Sequence, residues 1–310
     1  MLKLIPHLSV GALLASLVPC YGGTFVAIPP VSGAMTTVAR GINDDNVIVG
    51  NYTGWDFVTH GFFGTLDGQY TPFDYGDGSR PTLLLSIDNA HDIAGVAYQG
   101  ACQSIPFERM ADGTVTVLHK KKTDLSGLPG GFNKSGEFVG FYCDTNGHYL
   151  GYYAKNGAFK NPLTIAGDPP YVAPTSINKT GDVVGYFTSN GSSFHGFLLI
   201  GSSTTQIDYP GLSNTELSGI NDHGTVVGIA FNQPSNPTAF LYDIKTQKFK
   251  VIDDNGVPLT AVGINDQGNV LINFGQGGNA LYCPKAKNCP AAVMSSGRMP
   301  HGDASLGPSR

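Results

Sequence analysis

Charge is scarce in this sequence: 13% of its 310 residues are Asp, Glu, Lys or Arg, and they gather into no block. With Lys+Arg 18 against Asp+Glu 23 and a net charge of -5, there is no basic stripe to displace counterions from a phosphate backbone, which argues against a nucleic-acid partner. Apolar segments of helical period are missing too, as are a P-loop, a dinucleotide-binding glycine fingerprint, a nucleophile elbow and a Cys-x-x-Cys pair. No three evenly placed His or Asp residues make a metal cage, and nothing in the pattern calls for a cofactor. The opening apolar stretch, Leu8 to Pro19, holds about 12 residues behind Lys3. That is too short for a bilayer span and the right length for a secretory signal over residues 1–20.

What is abundant is glycine, at 42 residues, with Tyr 14 and Phe 17. This is the composition of many short strands joined by tight turns, with aromatics wedged between layers. A phrase of the form Gly/Ser-Ile-Asn-x-x-Gly-x-Val-Val-Gly recurs six times: GINDDNVIVG, SIDNAHDIAG, GFNKSGEFVG, SINKTGDVVG, GINDHGTVVG and GINDQGNVLI. Its aligned apolar positions are Ile42, Ile87, Phe132, Ile177, Ile220 and Ile264, at steps of 45, 45, 45, 43 and 44 residues. Periods in the forties without helices belong to propellers and solenoids.

Within a unit the period is two. APTSI, DVVGYF, FHGFLLI and TTQIDY read as four strands of one antiparallel blade, with Asn of the first turn bonding its own backbone. The last unit has no convincing fourth strand, whereas GTFVAIPPVSG near the N-terminus matches the fourth-strand pattern. The expected fold is therefore an all-β, six-bladed β-propeller over residues 24–294, closed by the N-terminal strand pairing in the last blade, followed by a disordered tail at 295–310. An open solenoid is the alternative.

If residues 1–20 are removed, Cys102, Cys143, Cys283 and Cys289 remain. Three pairings are possible, and the repeat register favours Cys102 with Cys143 and Cys283 with Cys289, as staples of a secreted chain. Four sequons, at Asn51, Asn133, Asn178 and Asn190, would accept sugar in a eukaryotic host; Asn133 and Asn178 are also the repeat's own turn residue.

The repeats resemble a widespread group of secreted bacterial and fungal proteins built on an extracellular repeat of the form IND-x-G-x-IVG followed by HAF or HGF, sometimes called the HAF family. The resemblance runs from residue 25 to about 290. His60-Gly61-Phe62 and His195-Gly196-Phe197 keep the second element, and elsewhere it degrades, as at Leu150-Gly151-Tyr152. It implies the fold and export, and no reaction.

A ligand is expected at the face formed by the connections from strand two to three and from strand four to the next unit. Tyr52, Tyr142, Phe187 and Phe274, with Tyr98 and Phe231 one residue later, make either an aromatic ring around that mouth or interblade core. His60 and His195 read as structural, bonding a neighbouring backbone. Trp55, Arg80, His148, Asp168 and Tyr171 break the unit pattern on this face, and Arg40 joins Arg80 as an arginine near the axis. Three functions follow. One is a propeller binding a glycan or protein; another is a glycan hydrolase or lyase drawing on Asp56, Asp144 and Asp168. The leading enzymatic reading is a secreted cyclase for an aromatic or terpenoid small molecule. In general character the chain is similar to fungal propeller proteins that catalyse hetero-Diels-Alder addition of a tropolone quinone methide to a sesquiterpene. That resemblance implies aromatic stacking of the reactants, with Arg80, His148 or Tyr98 donating to the heterodiene oxygen.

Overall fold

The computed structural model describes residues 23–290 apart from 100–102, 119–126, 145, 156–157, 161–162, 164, 166, 168 and 275–276. Among these residues the chain is all β, with one short 3-10 turn at Ala286–Asn288. The expected signal, the tail and Cys102 lie outside the described residues.

Four strands make each repeat. β1 (Thr24–Ile28) precedes them. β2 (Thr36–Ile42), β3 (Val47–Thr53), β4 (Thr59–Thr65) and β5 (Tyr70–Phe73) form an antiparallel sheet in chain order, and β6 (Thr82–Ile87), β7 (Ile93–Ala97), β8 (Ile105–Arg109) and β9 (Val115–Val117) form the next. Then come β10 (Gly127–Asn133), β11 (Glu137–Cys143), β12 (Tyr149–Lys155) and β13 (Ala158–Lys160), followed by β14 (Tyr171–Ile177), β15 (Val183–Thr188), β16 (His195–Ile200) and β17 (Ser203–Ile207). These two quartets share one sheet through a parallel bridge between Tyr149 and Tyr171. β18 (Asn214–Ile220), β19 (Thr225–Phe231), β20 (Thr238–Asp243) and β21 (Lys248–Ile252) make another separate sheet. The final repeat contributes β22 (Leu259–Ile264), β23 (Val270–Phe274) and β24 (Gly278–Cys283), and its fourth strand is β1, with Thr24 opposite Cys283 and Ile28 opposite Asn279.

The turn between the first two strands of each unit explains the repeat phrase. Its fourth loop residue has positive φ in every unit: Asn46, His91, Gly136, Gly181, Gly224 and Gly268. That conformation suits Gly without steric cost and Asn at a modest one. The Asn that opens the turn works at both ends of its amide. The Oδ1 of Asn43, Asn133, Asn178, Asn221 and Asn265 accepts from the backbone N–H four residues on, and that of Asn133, Asn178 and Asn221 also from the N–H two residues on. Its Nδ2 donates to the same residue's carbonyl in the following repeat: Asn43 to Asp88 (3.1 Å), Asn133 to Asn178 (2.7 Å), Asn178 to Asn221 (3.5 Å) and Asn221 to Asn265 (3.1 Å). Asn265 donates to Asn43 of the first repeat at 3.2 Å. Asp88 has an acceptor but no amide to donate.

The core lies between sheets. Gly50, Gly95, Gly185 and Gly228 pair across strands two and three with Phe62, Phe107, Phe197 and Phe240, all 0% exposed. A Cβ on Gly185 would stand 2.8 Å from the Phe197 ring and 2.2 Å from the Ala173 carbonyl oxygen. The glycine is thus the space the ring occupies. The last repeat reverses the sizes, with Ile272 opposite Ala280.

Cys283 and Cys289 form a disulfide at the end of β24. Cys143 is disulfide-bonded as well.

Candidate functional site

Two regions concentrate chemistry: the loop face, where strands two and three and successive units connect, and a cavity opening among the turns at the opposite ends of the strands.

On the loop face the β3–β4 connection is a small rigid hairpin. Gly54 N–H donates to the Val58 carbonyl, Phe57 N–H to the Gly54 carbonyl, and Val58 N–H to Asp56 Oδ1, at 3.1, 3.1 and 3.0 Å. Phe57 takes a left-handed φ of 62°, costly for a bulky residue. The result leaves Trp55 73% and Phe57 77% exposed, two residues apart in sequence. Beneath them His60 stacks on Tyr52 at 5.1 Å, its Nδ1 2.9 Å from Asp74 and its Nε2 3.1 Å from Asp56. Burial alone would lower the His60 pKa; the two carboxylates outweigh it and raise it. Burial and the same two carboxylates push the Tyr52 hydroxyl up.

The fourth repeat has a similar station. Phe187 lies 5.5 Å from His195, whose Nδ1 is 3.0 Å from Asp208, and Gln206 Nε2 donates to Asp208. The motif histidines therefore bond a carboxylate that follows strand four rather than a neighbouring backbone. Asp74 and Asp208 follow their histidines at nearly the same distance, 14 and 13 residues, a spacing that the repeat phrase itself does not include.

The remaining sequence-derived residues are divided. His148 Nδ1 sits 3.1 Å from Asp144 within its own connection and meets Tyr171 edge-on at 6.1 Å. The backbone N–H and charge of His148 hold Asp144 below the usual carboxylate range. Tyr98 is 39% exposed, and its N–H donates to the carbonyl of Pro81, the residue after Arg80. Tyr52, Tyr142, Phe187 and Phe274 are half-buried against separate core clusters, and Phe231 is buried. Asp168 lies outside the described residues. Asn51, Asn133 and Asn178 are buried with their amides engaged inside the protein, whereas Asn190 is exposed.

A second pocket of about 400 Å³ lies beside this face between β1, β2 and β24, lined by Pro29, Pro30, Met35 and Phe274 among others and by no ionisable side chain.

The cavity at the turn end, about 300 Å³, is lined by the same stretch of all six repeats, including Ile42, Ile87, Phe132, Ile177, Ile220 and Ile264. Asp44, Asp88, Asp222 and Asp266 line it together with Lys134 and Lys179. Lys179 bridges to Asp222 at 3.1 Å. Burial, with the charges of Asp44 and Asp222, pushes Asp266 up to about 6. Arg40 reaches this cavity from β2. Among the described residues no group of His, Cys, Asp and Glu is placed to hold a metal ion, and no helix is long and apolar enough to cross a membrane.

No family model matches the chain, and no curated protein matches it. Similarity appears in three dimensions. TolB from Acinetobacter baumannii superposes with a TM-score of 0.52 at 15% identity over 86% of this chain and 65% of that one. A triple arginine-to-alanine mutant of AofleA from Arthrobotrys oligospora gives 0.51 at 13% identity, over 82% and 83%. A prolyl endopeptidase gives 0.51 at 10% identity, over 81% of this chain and 42% of its own. The fold is a β-propeller. This chain spans less than two thirds of the TolB and endopeptidase chains, and at these identities the likeness speaks of fold alone.

Proposed function

We propose that the chain is a ligand-binding propeller whose loop face holds a flat-faced ligand, a sugar ring above all, against Trp55 and Phe57. The observation that carries this reading is the hairpin at 53–59, which spends backbone strain and three internal hydrogen bonds to keep two large aromatics in solvent. Stacking supplies area at low entropic cost, and the nearby Asp56 and His60 offer polar groups for hydroxyls. In the same reading the six repeats are six blades of a closed ring. Support comes from the β1–β24 pairing, from the bond between Asn265 and Asn43, and from the shared lining of the axial cavity. Export through a secretory pathway agrees with the Cys283–Cys289 disulfide.

A glycan array with purified protein tests the proposal. Saturable binding that falls at least about tenfold in Trp55→Ala, without loss of the folded state, is the expected result; equal binding by Trp55→Ala contradicts it.

A second reading is a cyclase for an apolar small molecule, including hetero-Diels-Alder chemistry, in the pocket of about 400 Å³ between β1, β2 and β24. With no ionisable side chain in its lining, rate enhancement there would rest on orientation. Unchanged stereoselectivity of a quinone-methide addition in the presence of the protein rules it out. Hydrolysis by paired carboxylates has less support, since Asp56 and Asp144 each face a histidine rather than each other.

A further inference from the structure

We propose that the axial cavity is a binding site for a small oxyanion, a carboxylate or phosphate, gripped by the Arg40 guanidinium. Arg40 is the bulge residue of β2, where the register with β3 shifts between Ala39 and Gly41. The same shift occurs in every repeat, and the residues at that place, Leu85, Gly130, Thr175, Ser218 and Val262, are all uncharged and line the same cavity. Thr175 and Ser218 show what this position does for the fold. Each hydroxyl lies within hydrogen-bond distance of a carbonyl of its own second strand and one of the next repeat, Val184 and Leu217 for Thr175, Val227 and Ala261 for Ser218. A cation is not needed for that task.

The guanidinium is also uncompensated. Its Nε donates to Asn51 Oδ1 at 2.6 Å, and among the described residues no carboxylate comes within ion-pair distance of it. Burial lowers its pKa with no acidic neighbour to offset this. A partly buried charge without a counter-charge is costly. Its remaining N–H donors form a planar fork matched to two oxygens of one anion. Ser86 Oγ, in the lining of the same cavity, is buried without a hydrogen-bond partner. The Cα of Ser86 lies 3.0 Å from where a Cβ of Gly41 would stand, which puts this spare hydroxyl beside the strand that carries Arg40. Asp44, Asp88, Asp222 and Asp266 line the cavity with Lys134 and Lys179, and Lys179 is already paired with Asp222, so the anion-binding element is Arg40 and not the rim. A volume of about 300 Å³ admits a small ligand and excludes a polymer.

Thermal unfolding of the full chain in succinate or phosphate, against chloride at matched ionic strength, tests this. The wild type should gain a saturable rise of at least about 3 °C with an oxyanion, Arg40→Lys a smaller one and Arg40→Met none. Trp55→Ala should respond as the wild type does, so failure here is separable from failure of the loop-face reading. A wild-type protein indifferent to both anions, or an Arg40→Met variant that responds equally, overturns the proposal. If Arg40→Met does not fold, the wild-type Arg40 Nε–H resonance decides: it shifts saturably with succinate if the site exists, and an unmoved resonance overturns it.

Discussion

At the scale of single residues, the asparagine of the repeat phrase is the most consequential side chain in the molecule. Its oxygen satisfies the hairpin beneath it and its amide nitrogen ties one repeat to the next, so neither Asp nor Ala can replace it without loss. The sequence reveals the turn but not the tie, because a contact across 43 to 45 residues has no local signature. Asp88 is the natural exception. Burial raises its pKa, so its ionised form is disfavoured in the folded state. Asp88→Asn keeps the acceptor for Asp92 N–H and restores a donor toward the next repeat. It is expected to stabilise the protein by about 1 kcal/mol at pH 7. Because the folded pKa of Asp88 exceeds the unfolded value of about 3.9, the wild type loses stability as pH rises through the folded value, and the advantage of the variant shrinks toward pH 4. Urea unfolding of both proteins at pH 7 and pH 4 measures it; an equal or lower midpoint for the variant at pH 7 contradicts the account. His60 and His195 were legible as motif members, yet their partners were not, since Asp74 and Asp208 fall beyond strand four and outside the quoted phrase.

At the scale of the strand pair, five of the six repeats are keyed by a glycine on strand two opposite an aromatic ring on strand three. The Gly of the VVG triplet is visible in the sequence at once, but the clue to its purpose is the last repeat, where Ile272 faces Ala280 and the bulk has changed sides. Gly185→Ala forces its Cβ to within 2.2 Å of the Ala173 carbonyl oxygen, a backbone atom that cannot swing away. A loss of about 3 kcal/mol or more is expected from such overpacking. Chemical denaturation checks it, and a loss under about 1 kcal/mol would mean that the pair is looser than its geometry. Strand boundaries and the four-strand unit were readable from the period of two. The parallel bridge between Tyr149 and Tyr171 was not, because a single residue pair joining two repeats has no local signature.

Over the whole molecule, two regions stand apart: a loop face with an aromatic hairpin and His–Asp stations, and a turn-end cavity that Arg40 reaches with no carboxylate within ion-pair distance among the described residues. The expectation of a loop-face site rests on residues that break the repeat, Trp55 among them. Arg40 was legible only as an arginine on a first strand, since the lack of a carboxylate within ion-pair distance among the described residues is a property of the assembled sheets. Both regions depend on the first and last described strands meeting in one sheet, with Thr24–Ile28 laid along Gly278–Cys283. Hydrogen exchange measures that meeting directly. The account predicts that the amides of residues 24–28 which bond to β24 exchange as slowly as those of Val270–Phe274 in the same sheet. Exchange at the rate of an unstructured peptide in 24–28, with Val270–Phe274 still protected, would contradict it.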